Sequence, residues 1–95
     1  MSWRDLAFIL GSPLRRKILE CLARSRYPLT PKEIARQMGI ARSNVSTKLC
    51  QLRRRNLVTC LNPEDKKPRF YVLTRKGRNV LREVRKLDKK DNRVD

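Results

Sequence analysis

Between residues 30 and 55 the chain has little freedom to be anything but two short helices joined by a tight turn. Thr30-Pro31-Lys32-Glu33 reads as a capping box. The Thr hydroxyl accepts from the third helical amide, and the Glu carboxylate reaches back to the Thr amide. Pro31 takes the first helical position, where its missing N–H costs nothing. Ile34, Ala35 and Met38 give this helix one apolar face. Gly39 enters the left-handed region freely and permits a sharp exit. A second helix is expected from about Ala41 to Arg55, with Val45, Leu49 and Leu52 as a narrow apolar stripe. At about 100° per residue, its opposite face is centred on Ser43, Thr47, Cys50 and Arg54, flanked by Asn44, Ser46 and Gln51. Every one of these outward residues except Cys50 carries a strong hydrogen-bonding side chain.

The flanks complete the pattern. Residues 3 to 10 predict a short helix, with Trp3, Leu6, Ala7 and Leu10 on one face and Phe8 and Ile9 widening its apolar surface. Gly11 ends it. Ser12 and Pro13 open another helix, running to about Arg24, with Leu14, Ile18, Cys21 and Leu22 as its buried stripe. Beyond the central pair, residues 57 to 61 and 69 to 73 predict two strands around a polar turn at 62 to 68. Thr74 then caps a last helix through about Leu87. The expected fold is mainly α with a small β-hairpin, in the order helix, helix, helix, helix, wing, helix: a winged helix-turn-helix. Residues 1–88 are expected to form the one domain, followed by a charged tail at 89–95.

Charge narrows the function. Twenty-five Lys and Arg stand against nine Asp and Glu, a formal charge of +16. Such an excess repels itself in a compact body unless a polyanion relieves it. Nucleic acid is the first candidate and an anionic membrane surface the second. The charge is also unevenly placed: Lys32, Arg36, Arg42, Lys48, Arg53, Arg54 and Arg55 lie between residues 27 and 56, with Glu33 the one acid. Three widely spaced cysteines and no histidine argue against a disulfide framework and a metal site. Reduced thiols in a cytoplasmic protein are expected instead. No apolar run is long enough to span a bilayer, and the first residues lack a signal-peptide pattern. Without histidine, a phosphate-cradling glycine loop or an evident carboxylate pair, the chain does not read as an enzyme, and no cofactor is expected.

Three stretches resemble winged-helix regulators of the ArsR and MarR type, particularly small archaeal members. Leu10-Gly-Ser-Pro-Leu-Arg-Arg-Lys-Ile-Leu19 resembles the opening of ArsR-like domains. Leu29 through Val58 resembles the shared helix-turn-helix core. Phe70-Tyr-Val-Leu-Thr-Arg-Lys-Gly77 resembles the wing strand and last-helix start of MarR-like proteins. Two departures stand out. Ala41 occupies the cap position where the family often has Ser, and no paired cysteines of the metal-sensing kind occur, so metal sensing is not carried over.

The resemblance and the helix geometry together imply sequence-specific binding of double-stranded DNA, as a transcriptional regulator. The helix at 41–55 would enter the major groove, with Arg42, Ser43, Asn44, Thr47 and Lys48 facing base edges. Thr30, Lys32 and Arg36 would meet the backbone from the preceding helix, Ser46 and Arg54 from the reading helix, and Lys66, Lys67 and Arg69 from the wing, on backbone or minor groove. The arginine run 53–55 serves either DNA or the helix macrodipole. Cys50 is either a redox-sensitive position or a bystander; Cys21 and Cys60 read as core fillers. A homodimer is expected through Trp3, Leu6, Leu10, Val80, Leu81, Val84 and Leu87, acting in the cytoplasm on the nucleoid. Two rival readings stay open: a nonspecific architectural, chromatin-like or RNA-binding winged helix, and a protein-interaction winged helix within a larger assembly.

Overall fold

In the computed structural model, which describes residues 3–64 and 67–91, helix boundaries fall where the capping residues put them. The helices are α1 (Trp3–Leu10), α2 (Pro13–Arg24), α3 (Pro31–Met38), α4 (Arg42–Arg54) and α5 (Arg75–Asp91), with strands β1 (Val58–Cys60) and β2 (Tyr71–Leu73) between the last two. Ser12 caps α2 by accepting from the Arg15 amide. Thr30 and Glu33 form the expected capping box on α3, and Gly39 closes it in the left-handed region at φ 67°. Thr74 Oγ1 accepts from the Gly77 amide at 2.9 Å at the start of α5.

Helix α2 is the centre of the molecule and packs against α1, α3, α4, α5 and β2. Ile18 and Leu19 are fully buried there. Around them lie Ile9, Ile34, Val45, Leu49, Leu52, Leu57, Val80, Leu81 and Val84 in one continuous core. β1 and β2 pair antiparallel, with Thr59 opposite Val72. Alternation leaves Val58, Cys60, Tyr71 and Leu73 buried under the hairpin. Among the described residues no helix is long and apolar enough to cross a membrane.

Several expectations are corrected by packing. On α1 the inward residues are Asp5, Leu6 and Ile9, whereas Trp3 and Leu10 face solvent. The rotation lets the Asp5 carboxylate meet Arg55 at 3.4 Å and Lys76 at 3.2 Å, which satisfies a buried charge. On α2, Leu19 joins the core and Leu14 is only partly covered. Both strands are shorter than their apolar runs. Helix α5 continues past Leu87 to Asp91. Arg16 on α2 donates to Asp88 at 3.1 Å and so ties that last stretch down. An extra bridge joins Leu29 to Tyr71, making Leu29, just ahead of the α3 cap, a one-residue third strand.

Gly77 has a steric role. A Cβ there would land on the Leu57 carbonyl oxygen, so only glycine lets α5 lie this close to the turn after α4. Overpacking against backbone costs about 1–3 kcal/mol, more than the roughly 1 kcal/mol of helix propensity that alanine returns. Gly77→Ala is therefore expected to lower the urea midpoint without changing the slope. A second expectation concerns pH. The Arg16 guanidinium holds the Asp88 carboxyl below its usual range. The pair's contribution is thus full above ordinary carboxylate pKa values and disappears as pH falls through the lowered one. Asp88→Asn should remove that part of the acid loss of stability, read by thermal melts at neutral pH and near pH ~3.

Candidate nucleic-acid interface

Helix α4 is held by one side only. Val45, Leu49 and Leu52 are buried, while Arg42, Ser43, Asn44, Ser46, Thr47, Cys50, Arg53 and Arg54 are exposed. Lys48 is partly covered. The approach to α4 is built by the turn. Gly39 hands the chain to Ile40, whose amide donates to Ala35 O at 3.1 Å. The helix opens at Ala41, which is extended (φ −66°, ψ 139°) and makes no side-chain cap. Its first donors are partly met by backbone, with the Asn44 and Val45 amides reaching Ala41 O. Thr47 Oγ1 donates to Ser43 O at 3.0 Å, so its hydroxyl presents an acceptor outward.

Beside α4 lies an open cleft of about 680 Å³, lined by Thr30, Pro31, Lys32, Arg42, Ser46, Cys50, Arg53, Lys67, Pro68, Arg69 and Tyr71. Three elements separated in sequence meet here: the start of α3, the flank of α4 and the wing. The bridge between Leu29 and Tyr71 brings them together. The Leu29 amide donates to Tyr71 O at 3.1 Å, and the Tyr71 amide to Leu29 O at 2.8 Å. This pair ties the chain just before Thr30 to the strand that follows Arg69. The wing is braced from within, where Asn62 donates to Pro68 O and accepts from the Phe70 amide, both at 2.8 Å. No described acidic residue lines the cleft.

Six of the expected contact residues, Thr30, Lys32, Arg42, Ser46, Lys67 and Arg69, share this concavity. Ser43, Asn44, Thr47 and Arg54 stand on the exposed ridge of α4 outside it, and Arg36 is exposed on α3. Lys66 lies outside the described residues. Arg53, left between DNA and the macrodipole by the sequence, lines the cleft: positions 42, 46, 50 and 53 share one flank of a helix. The arginine run divides. Arg53 and Arg54 are exposed, whereas Arg55 pairs with Asp5 and stacks 4.3 Å from the Phe8 ring centre. Arg15 covers the same ring at 3.8 Å and donates to Gln51.

The residues expected at a subunit interface separate too. Leu6, Val80, Leu81 and Val84 are at most 7% exposed and belong to the core of the single chain. Leu87 is partly buried against that core. Trp3, at 74% exposure, and Leu10, at 47%, keep apolar surface free. Cys21 and Cys60 are buried, and Cys50 is exposed. Burial pushes the Cys21 thiol up, keeping it protonated, and it donates to Gln37 at 3.1 Å. Among the described residues no cluster of metal-ligating side chains occurs. Because α4 starts without a side-chain cap, Ala41→Ser is expected to stabilise the protein by about 1 kcal/mol, measured by denaturant unfolding.

Residues 10–60 match a protein family described as "Helix-turn-helix domain". No curated protein sequence matches the chain. Solved structures are similar over most of its length. The transcriptional repressor CouR, bound to a 23-mer DNA duplex, is 28% identical with a TM-score of 0.72, covering 90% of this chain and 63% of that one. Staphylococcus aureus MarR in complex with salicylate and kanamycin is 27% identical with a TM-score of 0.72, covering 92% and 58%. The transcriptional regulator Tm0710 from Thermotoga maritima is 26% identical with a TM-score of 0.70, covering 92% and 63%. The chain thus spans 58–63% of the length of these structures. Its five helices and hairpin are the winged helix of MarR-type regulators.

Proposed function

We propose, on the premise that the chain belongs to the helix-turn-helix domain family, that it is a transcriptional regulator that binds double-stranded DNA in a sequence-specific manner. The N-terminal half of α4 enters the major groove, which is wide enough for one helix. Arg42, Ser43, Asn44, Thr47 and Lys48 meet base edges there. Asn44 suits an adenine and Arg42 a guanine, each through paired hydrogen bonds. Thr30, Lys32, Arg36, Ser46, Arg53, Arg54, Lys66, Lys67 and Arg69 take the sugar-phosphate backbone. The observation that carries this reading is the convergence of α3, α4 and the wing on one cationic cleft beside a protruding polar ridge.

The regulator acts as a homodimer on the nucleoid, in the cytoplasm. Trp3 and Leu10 supply the apolar surface for pairing. A two-fold dimer would read half-sites about one helical turn apart. Sedimentation at micromolar concentration should show a species of twice 11.3 kDa, and a strictly monomeric boundary would remove the dimer. The second reading, a nonspecific architectural or RNA-binding protein, draws its support from the charge of +16.

Selection of bound duplexes from a random pool tests both. A regulator should enrich a defined sequence and prefer it over bulk duplex by ~10³-fold or more. Equal affinity for all duplexes would favour the architectural role. Against the selected duplex, Asn44→Ala should cost about 1–3 kcal/mol and relax choice at one base position. Lys67→Ala should weaken all duplexes alike and make the log–log salt slope shallower by about 0.9.

A further inference from the structure

The solvent face of α5 has no part in the reading above, yet it is the second concentration of positive charge on the molecule. Arg75, Arg78 and Arg82 are all exposed. They fall within about 60° of arc on the helix, roughly opposite the buried Val80, Leu81 and Val84. Among the described residues none of the three has an ion pair or hydrogen bond from its side chain. Lys86 extends the row and pairs with Glu83 at 3.2 Å. Beside the row, an open cleft of about 770 Å³ is lined by Arg75, Lys76, Asn79, Val80 and Arg82 and by the carboxylates of Asp5 and Glu83, the first of them paired with Lys76 and the second with Lys86.

Helix stability does not account for this row. Like charges at spacings of three and four residues oppose helix formation. Arg75 and Arg78 also sit in the first turn of α5, at the positive end of the macrodipole, and that turn holds no acid. The helix forms despite them because its other face is buried in the core. A surface that gathers cations at the wrong end of a helix attracts anions strongly.

Location decides which anion. Helices α4 and α5 both bury their apolar faces against α2, so their polar faces look outward in different directions. None of the residues of the α5 row lines the cleft beside α4 and the wing. The row is long enough to follow a run of phosphates: the helical rise from Arg75 to Lys86 is roughly 16 Å. We propose that the outer face of α5 is a second contact for the DNA backbone, so that one molecule holds two duplexes together. This rests on the reading of α4 as the first DNA contact. The second contact reads phosphates only and carries no sequence preference.

The test is a two-duplex capture. A biotinylated duplex of selected sequence is immobilised, protein is added, and retention of a second, fluorescent duplex of unrelated sequence is measured. Arg75→Gln, Arg78→Gln and Arg82→Gln are combined in one variant, because glutamine keeps helix propensity. Lys76 is left alone because it holds Asp5. Wild-type protein should retain the second duplex. The triple variant should retain more than about tenfold less, since three phosphate contacts are lost. Its affinity for the first duplex should stay within about twofold at moderate salt. Its thermal midpoint should equal or exceed wild type. Wild-type protein that holds the first duplex and never the second would overturn the inference and leave the α4 reading standing. Equal capture by the triple variant would also overturn it. Failure to hold even the first duplex would remove the α4 reading and this inference with it.

Discussion

Mutual repulsion among cations is the constraint that this molecule must satisfy before anything else. A formal charge of +16 on 95 residues leaves few acids to deploy. Most of those described are used on one side. Asp5 binds Arg55 and Lys76, Glu20 binds Arg16 and Arg85, and Asp88 binds Arg16. These pairs knit α1, α2 and α5 together and offset part of their positive charge, leaving the outer row of α5 unpaired. The buried member, Asp5, matters most, because a carboxylate removed from water must be paired. On the other side, Glu33 is occupied in the capping box, and the cleft is left cationic. The polarity of the molecule follows from where its carboxylates are placed as much as from where its arginines are.

The paired helices carry α4. Three apolar residues fix α4 from below, and its far end is anchored by Arg55 to Asp5 and to the face of Phe8. Arg15 on the same ring reaches Gln51, so α1, α2 and α4 are joined around one aromatic side chain. The wing is secured at two levels. Gly77 allows α5 to lie against Leu57 at its base, and the Leu29–Tyr71 bridge ties its returning strand to the start of α3. Side chains presented from rigid elements supported in this way keep their relative positions when a ligand arrives.

Most of this was legible in the residues, and what was not has identifiable physical causes. The capping box, the glycine turn and the α4 stripe are local signals, and they placed three helices to within a residue or two. The α1 face was misjudged because periodicity counts apolar residues and gives no weight to Asp5, whose burial depends on two cations distant in sequence. The Leu29–Tyr71 bridge has no period at all, since a single residue cannot alternate. Val80, Leu81 and Val84 read from periodicity as apolar surface to spare, but the single chain buries all three. The core of one small domain needs all three when α1 and α2 both lie on α5. The arginine run 53–55 stayed undivided in the sequence because the cleft flank of α4, where Arg53 stands, is defined by the wing, a neighbour that helix geometry alone does not reveal.

One feature of α1 has an experimental use. Trp3 is the only tryptophan in the chain, and it stands largely in water on a helix that packs against α2 and α5 rather than along the cleft. The protein therefore carries a built-in optical reporter for one region alone. Its emission will shift to the blue when another surface settles over α1, and will stay nearly silent to events confined to α4 and the wing. Covering of α1 and occupation of the cleft can then be followed as separate signals in the same cuvette, without attaching a dye.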